Sequence, residues 1–206
     1  MIDYENEVKA DGFSLIIGID EAGRGPLAGP VVAAAVALKS NNFLSVIRDS
    51  KKISPLQRDK AFDEIYQNAY VGVGIVPETI IDQINILEAT FLAMNNAVKE
   101  LETKLPLSTK EQEGFSEKVC LLIDGNSFKS SVPYVFKTVV KGDSKVLSIA
   151  CASIIAKVTR DRIMCEYDKD FPVYGFKKHK GYPTVEHKQA LREHGPSRIH
   201  RRSFRY

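Results

Sequence analysis

Apolar and polar positions along the chain fall into short blocks, and each block predicts an element. Residues 13–20, FSLIIGID, form an isoleucine-rich run bounded by turn signals, which predicts a buried strand, and residues 31–38 predict a second. The intervening EAGRGPLAGP is too rich in glycine and proline to hold regular structure, so the two strands are expected to pair as antiparallel neighbours. Ser54 followed by Pro55 predicts a helix N-cap with proline at the first helical position, opening a helix to about residue 68. AYVGVGIV at 69–76 predicts a third strand. In 84–101, Ile84, Leu87, Phe91, Met94 and Val98 recur at helical spacing, which predicts a long amphipathic helix. Residues 104–118 are polar and aperiodic, an expected surface loop before the strand KVCLLID at 118–124. A strand near 134–140 leads through KGDSK into a helical run from Ser144 to about residue 168, with an apolar stripe of Leu147, Cys151, Ile154, Ile155 and Val158. Five strands interleaved with helices imply an α/β layer with a mixed sheet flanked by helices, over residues 1–171. Residues 172–206 are expected to form a smaller, basic extension containing a helix.

Composition narrows the function classes. With 206 residues, 44% hydrophobic and 27% charged, the chain suits one substantial core and is too apolar for a disordered protein. No apolar run reaches the roughly 18–20 residues of a membrane span, and the N-terminal MIDYENEVKADG lacks the features of a signal peptide, so no membrane and a cytoplasmic address are expected. Cys120, Cys151 and Cys165 lack the spacing of a zinc site or a disulfide framework. The net charge is only +3, but its distribution matters more. From Lys177 onward, Lys177, Lys178, Lys180, Lys188, Arg192, Arg198, Arg201, Arg202 and Arg205 face only Glu186 and Glu193, a basic end suited either to phosphates or to solubility alone.

Chemistry enters with carboxylates where apolar neighbours predict burial. Asp20 and Glu21 end one strand and Asp124 ends another. Carboxylates crowded at strand ends repel one another unless a cation neutralises them, and hard oxygen ligands select Mg2+ or Mn2+. Two such ions about 4 Å apart are the machinery of phosphodiester hydrolysis. Taken singly, each of these residues could instead cap a turn or a helix. Neighbours on a strand point to opposite faces, so Asp20 and Glu21 can meet one metal only if the backbone distorts, and Gly23 and Gly25 make a distortion plausible. A fourth carboxylate is either Asp143 or Asp161, because 18 helical residues between them would span about 27 Å. Asp143, at an element boundary, is the choice; Asp161 is left to ion pairs with Arg160, Arg162 or other basic neighbours.

Seven ordered segments now carry a resemblance: DEAGRGPLAGP at 20–30, DSKKIS at 49–54, IDGN at 123–126, KGDSK at 141–145, ASIIAKVTRDR at 152–162, HKGYPT at 179–184 and HRRSF at 200–204. Together they closely resemble the type 2 ribonucleases H, specifically bacterial ribonuclease HII, over nearly the whole chain after Leu15. The resemblance implies a ribonuclease H-like fold with a C-terminal helical extension. It implies an endonuclease that hydrolyses the RNA strand of RNA–DNA hybrids and cuts 5′ to a lone ribonucleotide in duplex DNA, leaving 3′-hydroxyl and 5′-phosphate ends. Asp20, Glu21, Asp124 and Asp143 fall on the family's four acidic metal positions. Gly23, Arg24 and Gly25 match its loop that senses the ribose 2′-hydroxyl, and Tyr182 matches its tyrosine at the RNA-to-DNA junction. Lys51, Lys52 and Lys145 are expected phosphate contacts. Arg198 departs from the family pattern, which has proline there, and so adds a charge and loosens a turn. The sister type, ribonuclease HIII, carries an extra N-terminal domain for which the residues before Asp20 leave no room. A hybrid-binding module without catalysis is the alternative, disfavoured by the presence of all four acidic positions. A monomer is the simplest expectation, and contact with a replication clamp is left open.

Overall fold

The computed structural model describes residues 1–47, 50, 53–111 and 114–205. Its elements run α1 Ile2–Ala10, β1 Leu15–Ala22, β2 Val31–Leu38, α2 Pro55–Asn68, β3 Ala69–Val76, α3 Glu78–Lys104, α4 Leu107–Lys110, β4 Val119–Asp124, β5 Val135–Val139, α5 Leu147–Asp170, α6 Phe176–His179 and α7 Val185–His194. The strands form one mixed sheet in the order β3-β2-β1-β4-β5. β1 pairs antiparallel with β2, as the tight connection predicts, and parallel with β4.

Helices cover both faces. α3 packs on β1, β2 and β3 through Met94, Ala97, Val98 and Leu101 against Ile17, Ile19, Ala33 and Ala35. Gly72 and Gly74 let it approach: a Cβ there would stand 2.0 Å from the Ala97 carbonyl oxygen and 1.9 Å from that of Ala93. On the opposite face, Cys151, Ala152, Ile154 and Ile155 of α5 meet Ala34, Val36 and residues of α2. α2 opens on a reciprocal cap: Ser54 Oγ accepts the Gln57 N–H and Gln57 Oε1 accepts the Ser54 N–H.

Four expectations need correction. The polar N-terminus, for which no element was expected, forms α1, held by the Glu5 carboxylate accepting the Ser148 N–H at 2.9 Å. α3 begins earlier than 84 and breaks at Asn85, which has φ 67°. There the Asn85 side chain accepts the N–H groups of Leu87 and Glu88, capping the longer part. Residues 104–118 hold α4 and a 3-10 turn at Phe115–Lys118 instead of a continuous loop. α5 begins at Leu147 and not Ser144, because Gly142–Ser144 forms a separate 3-10 turn.

The C-terminal residues pack on the main layer through Tyr174, Phe176, Leu191 and Ile199 against Leu27, Ala28 and Met164. Asp82 of α3 accepts the N–H groups of Arg202 and Ser203, pinning the last described residues to the other side of the sheet. Among the described residues no helix is long and apolar enough to cross a membrane.

Candidate active site

β1 and β4 are parallel and in register through Ile19 opposite Ile123. One residue further, Asp20 and Asp124 end up side by side. β4 stops at Asp124, whereas β1 continues through Ala22 opposite Val32, so Glu21 projects past the end of its neighbour. Asp20 and Glu21 therefore border one cavity although β1 is unbroken between them, and the distortion expected immediately afterwards is found at Gly23, with φ 103°. Asp143 reaches the same place through the turn after β5, which Asp124 holds by accepting the Gly142 N–H at 2.7 Å. Asp143 does not cap α5, whose N-cap is Val146.

The cavity has a volume of about 680 Å3 and is bordered by all four carboxylates, by Gly23, Arg24 and Gly25, and by Tyr182. Burial pushes the Asp20 carboxyl well above the usual carboxylate range, and the neighbouring charges of Glu21 and Asp124 push it further. The Glu21 carboxyl is raised too, chiefly by burial, with Arg24 pulling it back through a 3.3 Å ion pair. Asp20 also accepts the Glu21 N–H at 2.7 Å. Among the described residues no three His, Cys, Asp or Glu side chains close into a ready-made metal cage; the carboxylates stand around the cavity wall.

One sequence-predicted residue is not in this gathering. Lys145 is exposed and donates to the Val140 carbonyl, and it does not border the cavity. Lys51 and Lys52 lie outside the described residues. Asp161, the rejected candidate for the fourth carboxylate, pairs with Lys157 at 2.7 Å and borders a separate cavity of about 600 Å3. Arg198 sits 3.5 Å from Asp170 and over the Phe171 ring.

Other residues of the site escaped the sequence reading. Ser153 hydrogen-bonds the Asp20 carboxyl, lowering it against the larger upward pushes, and lies 3.0 Å from Ser50. Lys157 borders both cavities. Ser153 and Lys157 are one helical turn apart on α5, a spacing that, with Asp161, marks a polar stripe and was the signal available. Asp161 takes its expected ion pair from the basic neighbour Lys157 while Arg160 is buried elsewhere, and Arg201 is fully buried too, which corrects one expectation: it is not part of a phosphate-binding surface.

Tyr182 is held by its backbone. Its N–H donates to the His179 carbonyl, and its own carbonyl accepts from His187 Nδ1 at 2.9 Å. Its ring faces Gly25, where an added Cβ would lie 3.7 Å from Cε1, an ordinary contact. Gly23 differs. It has φ 103°, and a Cβ there would lie 2.2 Å from Arg160 Nε, so glycine is needed for the fold itself.

The sequence family described as Ribonuclease HII matches residues 17–206. A ribonuclease HII of Geotalea uraniireducens is 50% identical over 207 residues, covering 100% of this chain and 89% of its own. One of Magnetococcus marinus is 50% identical over 190 residues, covering 92% and 84%. Among solved structures, a PCNA:RNase HII complex from Archaeoglobus fulgidus contains a similar chain with TM-score 0.66 and 25% identity, covering 93% of this chain and 96% of that one.

Proposed function

Since the chain belongs to the ribonuclease HII family and is a ribonuclease H endonuclease, we propose that its carboxylate cavity cuts the RNA strand of RNA–DNA hybrids and incises 5′ to single ribonucleotides in duplex DNA. The observation that carries this reading is the meeting of four carboxylates with the 23–25 loop and Tyr182 around one cavity.

The donor set suits a hard divalent cation, Mg2+ or Mn2+, held by Asp20, Glu21, Asp124 and Asp143. Its fit rests on oxygen donors that burial, and after it the charge of neighbouring carboxylates, lifts above the usual range at Asp20 and Glu21, a cost that a cation would relieve. When bound, such cations supply Lewis-acid stabilisation of the charge that develops on the phosphate. The chain's own groups do the positioning. The backbone of Gly23, Arg24 and Gly25 meets the sugar and distinguishes ribose by its 2′-hydroxyl. The Tyr182 ring packs on the sugar of the next nucleotide, keeping water off that side. Lys157, beside both, offsets phosphate charge. Water adds to phosphorus opposite O3′, and the O3′–P bond breaks, which gives the 3′-hydroxyl and 5′-phosphate ends. The protein acts as a monomer in the cytoplasm.

The test is incubation with Mg2+ or Mn2+ and a DNA duplex holding one ribonucleotide. Incision directly 5′ to the ribonucleotide is expected. Asp20→Asn should abolish it and retain duplex binding, because that carboxylate holds metal and not substrate. Binding without any incision by the unaltered protein would make it a hybrid-binding module.

A further inference from the structure

Two guanidinium groups lie buried side by side beneath the 23–30 loop, and neither has an ion-pair partner among the described residues. Arg201 is 0% and Arg160 is 1% exposed. Both donate to the Pro30 carbonyl, at 3.1 and 2.9 Å. Burial pushes them down to about 9 and about 10, so both stay charged at neutral pH.

All of Arg201's hydrogens are used on this loop. Nε donates to the Gly29 carbonyl, Nη1 to those of Arg24 and Pro26, and Nη2 to those of Gly23 and Pro30, at 2.6–3.1 Å. A guanidinium has five N–H groups in one plane, and each has its own carbonyl here. Among the described residues no peptide bond is cis, so within each peptide plane of this loop the N–H points away from the C=O. With the Gly23 and Arg24 carbonyls turned onto Arg201, the N–H groups of Arg24 and Gly25 are turned the other way, on residues that border the carboxylate cavity. Among the described residues neither N–H donates to a backbone acceptor.

We propose that Arg201 is a positioning residue for ribonucleotide recognition: by taking the loop carbonyls it aims two successive amides at the oxygen that marks ribose. This rests on the ribonuclease reading of the carboxylate cavity. It assigns to the C-terminal segment a share in substrate discrimination separate from any contact with phosphate. Lysine keeps the charge but has three donors on one nitrogen, and cannot hold five carbonyls spread across a plane.

The test compares the unaltered protein with Arg201→Lys and Arg201→Gln in two measurements. In 1H–15N spectra, the Arg24 and Gly25 amide signals should shift or broaden in both variants, while those of Cys120 to Ile123 in β4 stay in place. On the single-ribonucleotide duplex, kcat should fall by about a hundredfold, with KM near that of the unaltered protein. Unchanged Arg24 and Gly25 signals overturn the proposal, as does an unchanged kcat. A loss shared by kcat and KM, or variants that fail to fold, also count against it, since they make Arg201 a support of the whole fold. If the unaltered protein makes no incision, it is the ribonuclease reading that fails, and the amide signals alone then decide the positioning claim.

Discussion

Gly23 and Gly25 look equivalent in the sequence and are not equivalent in space. At Gly23 an added methyl collides with the buried Arg160 side chain and with the Pro30 carbonyl, at a φ that side chains resist. Gly23→Ala should therefore destabilise the fold, by about 1–3 kcal/mol from the backbone strain alone. At Gly25 a methyl fits, with only the Tyr182 ring nearby. Gly25→Ala should leave the melting temperature near that of the unaltered protein and yet lose most cleavage, because the methyl takes space needed by the sugar. Melting curves and incision rates on the two variants check this; a Gly25→Ala protein that is fully active, or as unstable as Gly23→Ala, would contradict it. Asp20 and Asp124 were legible residue by residue, since an Asp that ends an apolar run stands out, whereas Asp143 was chosen over Asp161 by its place at an element boundary. The buried arginines were not legible. In a linear reading an arginine defaults to the surface, and only the backbone carbonyls of a distant loop, invisible in the sequence, explain its burial.

Among the elements, apolar runs foretold the strands, and their register is what brings Asp20 beside Asp124. Periodicity worked less well for α3. Asn85 sits inside a helical pattern, and nothing in the spacing says that its backbone turns left-handed or that its side chain caps the next turn of helix. This gives a test of the break. Asn85→Gly, which keeps the conformation but loses the cap, should be nearly neutral, whereas Asn85→Ala should cost about 1–2 kcal/mol by losing the cap and adding left-handed strain. Chemical denaturation measures both. Equal stabilities would mean that the break is not held by this residue. The α5 start shows a related limit. Hydrophobic pattern could not separate the 3-10 turn carrying Asp143 from the helix it precedes, yet that separation takes Asp143 out of the capping position.

Over the whole molecule, the C-terminal end is tied to the site through a chain of neutral histidines. His187 Nδ1 donates to the Tyr182 carbonyl, which leaves His187 Nε2 to accept from His200 Nε2 at 3.0 Å. His200 Nδ1 in turn accepts the Ser197 N–H. His179 stacks on His187 at 4.5 Å, and Tyr174 and Phe176 close the cluster. Burial lowers His187, and burial with the His187 neighbour pushes His200 down to about 4. A histidine whose folded pKa lies below its unfolded value of 6.5 makes the unfolded chain the better proton binder. Its contribution is thus fully present above about pH 6.5 and is lost as pH falls toward 4. The unfolding midpoint should drop through that window, and His200→Asn should drop less over the same range, although starting lower. Parallel curves for the two proteins would rule out the histidine chain as the cause. These contacts lie within the C-terminal end itself, at separations of 3 to 13 residues, but they join imidazole nitrogens whose tautomers and partners no hydrophobic pattern reports.

The placement of Arg201 also bears on how the molecule is made. The guanidinium that takes five carbonyls of residues 23–30 is added to the growing chain 171–178 residues after them. A nascent chain halted short of residue 201 already holds every carboxylate of the cavity but lacks the donor that sets the loop beside them. Synthesis therefore supplies the acidic side chains well before the donor that sets the loop beside them.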